Sequence, residues 1–459
     1  MYRLSRWCKF FEKGNVVAVF HSLTFDLLFL DGDVGGKLKD LSNSVLSELS
    51  FCEIIGDDIF DLLKDNSLIV SDVENDLDKL FSLRNEMKKE VKLNMLYLLL
   101  TDGCNLKCRY CFEDTPETSG VFIPKKMSLD CVKQSIDYFA RLLKKHGSAG
   151  GQKIIHLYGG EPMLNPEAVK IAISHSQKLK SKGQLPKDCE VAIVTNGTLV
   201  DDEFAKLFAE NGVTVGLSLD GPRRINNAYR IPQNGTTDVF AKVEGCYNLL
   251  KKHGVKIGFS STLSPEVVDN FEEVLNFFVN EIGIQDGICF NILHYNPRIN
   301  VGERYFQETA KSLIRAFKLF REKSIYEERM MRKAKAFAFK KPIFCDCGVN
   351  GGQIVIAPDG KVGVCQDFVK PRKYFGDELT QNPDYDPFES GLYDGWKNRS
   401  PFFMEQCYDC EAIALCGGGC PASIELRTGS RWDIDDRVCP HSKQSLEWLI
   451  WDTYDNINT

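Results

Sequence analysis

Residues 101–114 read TDGCNLKCRYCFED and place Cys104, Cys108 and Cys111 within eight residues. A closed tetrahedral zinc site takes four protein ligands, and no fourth Cys or His follows in this stretch; the next cysteine is Cys131. Three thiolates holding a cubane 4Fe-4S cluster leave one iron without a protein ligand, a place for a small molecule to bind and react. The stretch therefore asks for a partner molecule, with its contacts supplied elsewhere in the sequence.

Working outward, a pattern repeats from about residue 93: a short apolar, β-rich run, a loop, then a segment with helical spacing. The runs are LNMLYLLLT (93–101), KIIHLY (153–158), EVAIVT (190–195), VTVGLSL (213–219), VKIGFSSTL (255–263) and GICFNIL (287–293). Between them lie amphipathic segments such as 128–147, opened by Ser128, and 165–183; each closes near a glycine. Six such units predict an α/β fold, a partial (β/α)6 TIM-like barrel over residues 93–300. Reactive groups of parallel barrels sit at the strands' C-terminal ends, where this chain carries its three cysteines, YGGEP (158–162), TNGT (195–198) and SLDGP (218–222).

Residues 1–92 read differently. NVVAVFHS (15–22) and FDLLFLDGD (25–33) predict a β-hairpin, followed by helical stretches at 37–49 and 57–64, a small α+β unit. Charged helical sequence fills 301–344, and a Gly- and Cys-rich tail occupies 345–459.

The chain has 459 residues, 43% hydrophobic and 26% charged, which describes an ordinary globular protein of two or three domains. Its formal charge of −7 argues against a general phosphate-backbone binder, so no nucleic-acid partner is expected. The basic N-terminus lacks a signal-peptide core, and no run of eighteen apolar residues occurs, so neither membrane association nor export is expected and a cytoplasmic location is predicted. Seventeen cysteines in a reducing compartment suggest metal or redox chemistry for most of them.

The order C-x3-C-x2-C, with Tyr110 before the last cysteine, resembles the radical S-adenosylmethionine superfamily. The later loops strengthen the resemblance. It implies that Gly159, Gly160 and Glu161 hold the methionine amino group of S-adenosylmethionine, glycine permitting close approach and the carboxylate accepting from the ammonium. It implies Ser218 and Arg230 for the ribose and carboxylate contacts, and adds Asn196, in the loop after the third strand, and Leu293, at the end of the sixth. The partner asked for by the three thiols is then S-adenosylmethionine, chelating the open iron. In that family an electron from the cluster cleaves the sulfonium to a 5'-deoxyadenosyl radical, which takes a hydrogen atom from the substrate.

The tail carries Cys347, then Gly360 and Cys365, then Cys407-x2-Cys410-x5-Cys416-x3-Cys420 and Cys439. This resembles the SPASM extension, which carries two auxiliary 4Fe-4S clusters in radical enzymes acting on peptides and proteins, giving three clusters in all. The resemblance implies Cys407, Cys410, Cys416 and Cys439 for the outer cluster, and Cys365 and Cys420 for the inner one. Cys345 and Cys347 both fall in the window for its remaining ligands. If both ligate, the inner cluster is closed; if one does, an iron stays open to a substrate thiolate. Two zinc ribbons are the alternative for this tail.

Within the SPASM group, VGLSLDGPRRINNAYR (215–230) looks like the anaerobic sulfatase-maturing enzymes, which make formylglycine. Their motif places an Asp directly after the cysteine matching Cys365 as a base; here stands Gln366, with Asp367 one place later, and a neutral amide cannot accept that proton. About a hundred residues precede Cys104, and this unit resembles the winged-helix domain by which peptide maturases capture a leader sequence as an added strand. The expectation is a maturase of ribosomally made precursor peptides that installs a thioether or carbon–carbon crosslink, with Asp367 as candidate proton acceptor and flavodoxin or ferredoxin as reductant. The alternatives are formylglycine formation, a non-catalytic metal- and peptide-binding module and, disfavoured by the acidic charge, RNA modification.

The remaining cysteines, Cys8, Cys52, Cys131, Cys189, Cys246 and Cys289, read as buried thiols. His156 and His294 read as hydrogen-bonded structural residues in preference to cavity residues, and RMMRKAKAFAFKK (329–341) as a solvated helix face in preference to a peptide-docking surface.

Overall fold

The structure, a computed structural model, describes residues 1–113, 123–148 and 150–457. At the N-terminus, β1 (Tyr2–Leu4) pairs antiparallel with β5 (Ile69–Ser71), while β2 (Cys8–Lys13), β3 (Val16–His21) and β4 (Leu27–Asp31) form an antiparallel meander. The hairpin read from the sequence is the β3–β4 pair. β1 and β2 went unread because Cys-Lys-Phe-Phe-Glu-Lys does not alternate; a two-residue turn with Gly14 at φ +60° makes the strand. The helix expected over 37–49 is two helices, Gly32–Asp40 and Glu48–Ile55. Ser47 starts the second by accepting from the Ser50 amide, so the polar run Ser42–Asn43–Ser44 lies in a break.

All six strand segments of the central unit form and pair in parallel, in chain order: β6 (Met95–Thr101), β7 (Ile154–Gly159), β8 (Glu190–Thr195), β9 (Thr214–Ser218), β10 (Ile257–Leu263) and β11 (Gly287–Ile292). Alternation decides the faces. On β6, Leu96, Leu98 and Leu100 are buried in the outer core with Val132, Ile136 and Phe139 of the helix Leu129–His146, while Tyr97 turns to the lumen. Ser128 caps that helix, accepting from the Cys131 amide.

The barrel is partial because β6 and β11 take other partners. β12 (Tyr326–Glu327) extends the sheet beyond β11, and β13 (Gln353–Ile356) adds in parallel beside β6, followed by the antiparallel β14 (Lys361–Gly363) and β15 (Phe375–Glu378). The tail thus enters by hydrogen-bonding to the barrel's first strand. The C-terminal helix Cys439–Ile457 returns against the helix Glu303–Glu322, with Phe317 edge-on to Trp448 and Arg321 paired to Asp452 at 2.7 Å. The N-terminal meander rests on the same structure: Phe29 meets Tyr454 at 5.0 Å, and Phe20 stacks on Phe337. Among the described residues no helix is long and apolar enough to cross a membrane.

Candidate functional site

A single cavity of about 1400 Å³ runs through the barrel and joins two groups of thiols. Cys104, Cys108 and Cys111 line it at the C-terminal mouth, and Cys347, Cys365 and Cys420 line it where the tail covers the barrel.

The mouth loop is held by its neighbours' backbones. The Lys107 and Arg109 amides donate to the carbonyls of Ile231 (2.7 Å) and Tyr229 (2.9 Å), Gln233 donates to the Cys104 carbonyl, and Asn296 donates to those of Arg109 and Cys111. Gly159 (φ +136°) and Gly160 lock YGGEP against this loop: a Cβ on Gly159 would lie 2.0 Å from the Thr101 carbonyl oxygen, and one on Gly160 2.3 Å from that of Gly103. The close approach these glycines permit is therefore of one loop's backbone to another.

Burial raises the pKa of each mouth thiol, Cys111 to about 12, and each responds to its fellows or to a nearby carboxylate. The Leu106 amide (3.4 Å) and Asn196 Nδ2 (3.9 Å) point at Cys104 Sγ. Three converging thiols with N–H groups aimed at sulfur, and no further Cys or His on their loop, fit a cluster with an open iron rather than a closed zinc site.

Glu161 is buried and its carboxylate is largely spent: it accepts from the Met163 amide (3.0 Å), Thr195 Oγ1 (2.7 Å) and the Asn196 amide (2.7 Å). Both lone-pair directions of Oε1 and one of Oε2 are taken, so a single acceptor position remains for an ammonium. Arg230 is likewise engaged. Its Nε and Nη2 form a fork with Asp220 at 2.9 and 3.0 Å, both side chains buried, and Tyr110 donates to the same carboxylate at 2.5 Å. Asp220 also accepts from the Thr262 amide (2.9 Å), tying the end of β9 to β10. It stood within the quoted SLDGP, but a partner ten residues on carries no local signal. Ser218 faces the cavity, whereas Leu293 is buried outside its lining with its carbonyl taken by Arg437.

Around the tail thiols, Cys365 and Cys420 are electrostatic neighbours of each other and of Cys347, and burial raises all three. Cys345 sits apart from the cavity, its sulfur accepting from Asn350 at 2.9 Å and donating to the Arg399 carbonyl at 3.3 Å. Cys407, Cys410, Cys416 and Cys439 form a second group, away from the cavity, in which Cys416 bears on the other three. Asp367 is buried beside His294, Nδ1 to Oδ2 3.2 Å, and one ligand atom each of His294, Asp367 and Cys420 lies within 4.8 Å of the others.

Three expectations are corrected. His156 and His294 line the cavity; His156 Nδ1 is buried without a partner among the described residues, the ring stacks on Tyr97 at 5.0 Å, and burial lowers its pKa to about 4. The run 329–341 is not a solvated face, because the helix Glu328–Ala338 buries Met330, Lys333 and Ala336, with Arg329 and Arg332 lining the cavity. Of the six unassigned cysteines, Cys131, Cys189 and Cys246 are buried, but Cys8, Cys52 and Cys289 are partly exposed, and Cys289 faces the lumen from β11.

The sequence pattern of the radical SAM superfamily matches residues 98–278. The chain carries a radical SAM domain. Over 97% of its length it is 24% identical to the radical SAM cyclopropyl synthase TigE of Paramaledivibacter caminithermalis, 95% of which is covered. It is 27% identical to a cysteine-type anaerobic sulfatase-maturating enzyme of Clostridium perfringens, covering 78% of this chain and 96% of that one. Among solved structures, native anSMEcpe with bound AdoMet superposes with a TM-score of 0.64 at 22% identity (80% and 100% of the two chains). Streptococcus suis SuiB bound to its precursor peptide SuiA does so with 0.53 at 15% (96% and 100%). The protein is thus an enzyme with a radical SAM domain and the overall fold of these solved structures, and such a domain implies a 4Fe-4S cluster and AdoMet.

Proposed function

We propose that this enzyme oxidises a ribosomally made precursor peptide and closes a crosslink within it, thioether or carbon–carbon. The observation that carries this reading is the continuity of one cavity from the mouth thiols to Cys347, Cys365 and Cys420, which gives one bound side chain access to both ends of a two-electron oxidation. Bound AdoMet, reduced through the mouth cluster, supplies a 5'-deoxyadenosyl radical that removes one hydrogen atom from the peptide. In this reading Cys104, Cys108 and Cys111 hold that cluster, and Gly159, Gly160, Glu161, Asn196, Ser218 and Arg230 shape the AdoMet pocket. Arg230 acts by fixing Asp220 and Tyr110.

Closing the bond releases a second electron and a proton. Cys347, Cys365 and Cys420, with Cys345 near Cys347, would hold a cluster able to accept that electron, and Cys407, Cys410, Cys416 and Cys439 would hold a second one able to pass it outward. Asp367, buried against His294, takes the proton. Support comes from relatives: SuiB is solved with a precursor peptide, and a cyclopropyl synthase by name forms a carbon–carbon ring. The N-terminal meander, with β4 at one edge, suits leader capture by strand addition.

Formylglycine formation is the second reading, favoured by the cavity position of Asp367 despite the Gln366 that precedes it. Anaerobically reconstituted enzyme given dithionite and AdoMet should release 5'-deoxyadenosine, and a co-expressed precursor should lose two hydrogens per crosslink by mass spectrometry. Cleavage of AdoMet that leaves the precursor mass unchanged, with deuterium taken up from solvent, would replace crosslinking by epimerisation. A sulfatase peptide converted to an aldehyde would establish the second reading.

A further inference from the structure

Arg329 and Arg332 enter the lumen on one side of the helix Glu328–Ala338, three residues apart and so stacked one turn above the other. They share one carboxylate. Arg329 Nη1 lies 3.5 Å from Asp346 Oδ2 and Arg332 Nη1 3.4 Å from Oδ1, both longer than the roughly 2.7–2.9 Å of a committed charge-assisted hydrogen bond. Arg329 Nη2 reaches Asn291 of β11 at 3.3 Å, and its Nε is buried with no acceptor among the described residues.

The other charges around this corner are already occupied or outnumbered. Glu327 spends its carboxylate on the Arg329 and Met330 amides, at 3.1 and 2.7 Å. Lys333 donates to the Leu415 carbonyl and Ser442, and Arg437 is locked to Asp435, yet both still add positive potential at Asp346. Glu328 is the remaining carboxylate that bears on Arg329, besides Asp346 and Glu327. Gly258, near the start of the neighbouring strand β10, also lines the cavity, and a Cβ there would meet nothing within 4 Å among the described residues. Guanidinium groups with unspent N–H donors facing a passage are matched by a carboxylate entering from it.

We infer that Arg329 and Arg332 form a carboxylate-binding corner of the lumen, and that the peptide modified by this enzyme carries an acidic side chain, Asp or Glu, which docks there and sets which neighbouring residue meets the radical. The inference rests on the peptide reading above and adds the substrate's chemical class.

The test uses the reconstituted holoenzyme and pools of N-acetylated, C-amidated octapeptides, randomised over uncharged residues except for a fixed central Asp, Glu, Asn or Gln, with a fifth, acid-free pool carrying a free C-terminus. Retention by the enzyme and peptide-dependent acceleration of 5'-deoxyadenosine release are read together. An acidic pool should be favoured over its amide counterpart by about tenfold to a hundredfold, as expected for charge-assisted hydrogen bonds. That preference should vanish in Arg329→Met and Arg332→Met and return in part in Arg332→Lys. Iron content reports folding, and the more exposed Arg332 alone suffices if the Arg329 variant fails to assemble.

Pools retained without preference for acid, or no pool retained while a co-expressed precursor is still modified, would overturn the inference and leave the peptide reading intact, whereas no retention together with an unmodified precursor would sink both. Preferential retention of the free C-terminus would replace the side chain by a chain end. A shift of a tail cluster's midpoint potential in the arginine variants, with acid preference intact, would reassign them to the cluster and overturn the inference.

Discussion

The two groups of thiols facing the cavity are built in opposite ways. Cys104, Cys108 and Cys111 come from one loop, which exchanges hydrogen bonds with the backbone and amide side chains of neighbouring loops. Cys347, Cys365 and Cys420 come from three segments, one before β13, one after β14 and one capping the helix Pro421–Thr428, where Cys420 Sγ accepts from the Ser423 amide. A group made in one loop is a feature of that loop. A group stitched from three segments exists only if the fold brings them together, and a metal bound there ties them in return.

The sharpest way to break this contrast is to delete one thiol from each group. Cys108→Ala should abolish 5'-deoxyadenosine release while the tail keeps its iron and the melting midpoint is little changed. Cys420→Ala should lower the midpoint itself and lose tail iron, as read by calorimetry and iron analysis. Equal loss of stability in both variants would erase the distinction.

The mouth loop nevertheless leans on one buried ion pair. Asp220→Asn leaves the Arg230 guanidinium buried without its counter-charge, which costs about 3–5 kcal/mol, and frees Tyr110. Denaturant unfolding should show this destabilisation together with weakened AdoMet binding, and the double variant Asp220→Asn, Arg230→Met should recover much of the stability without recovering binding.

A smaller effect lies on the lumen's other side. Burial raises Glu327 to about 7, above its unfolded value, so the folded state holds a proton that the unfolded chain gives up. The stability this contributes is present at low pH and is lost as pH rises from about 4.5 towards 7, at most about 3 kcal/mol. Glu327→Gln should flatten that slope in melting curves taken across the window, and an unchanged slope would show that the carboxylate is not the titrating group.

The smallest change in stability, about 1 kcal/mol or less, is expected for Gly258→Leu, because the added side chain enters open space. It should spare AdoMet cleavage and suppress peptide modification; undiminished modification would mean that the substrate reaches the mouth thiols by another route.

The six barrel strands were legible because each is a run of apolar, β-rich residues bounded by loop residues, a signal contained in the run itself. The short pieces that complete the sheet were not. β12 is two residues and β13 four, and each is a strand only because an edge of the barrel offers unpaired backbone groups. The same split holds at the site. The mouth cysteines, Glu161 and Arg230 could be singled out from motifs, but that Glu161 and Arg230 spend their polar groups on the protein itself, on Thr195 and Asp220, depends on which loops meet. The run at 329–341 looked solvated because its composition is basic; the helix that holds it was turned inward by packing Met330 and Ala336 into the core.

Local order in the chain thus determined the repeating strand and helix units, the loop of three thiols and the cysteine spacing of the tail, because each is written in residues close enough to act on one another directly. Only the tertiary structure decided which charges cancel, which histidines and arginines face the lumen, and that one cavity joins both sets of thiols. Those outcomes depend on groups from ten to hundreds of residues apart meeting in a low-dielectric interior, where a partner a few ångströms away outweighs anything nearby in sequence.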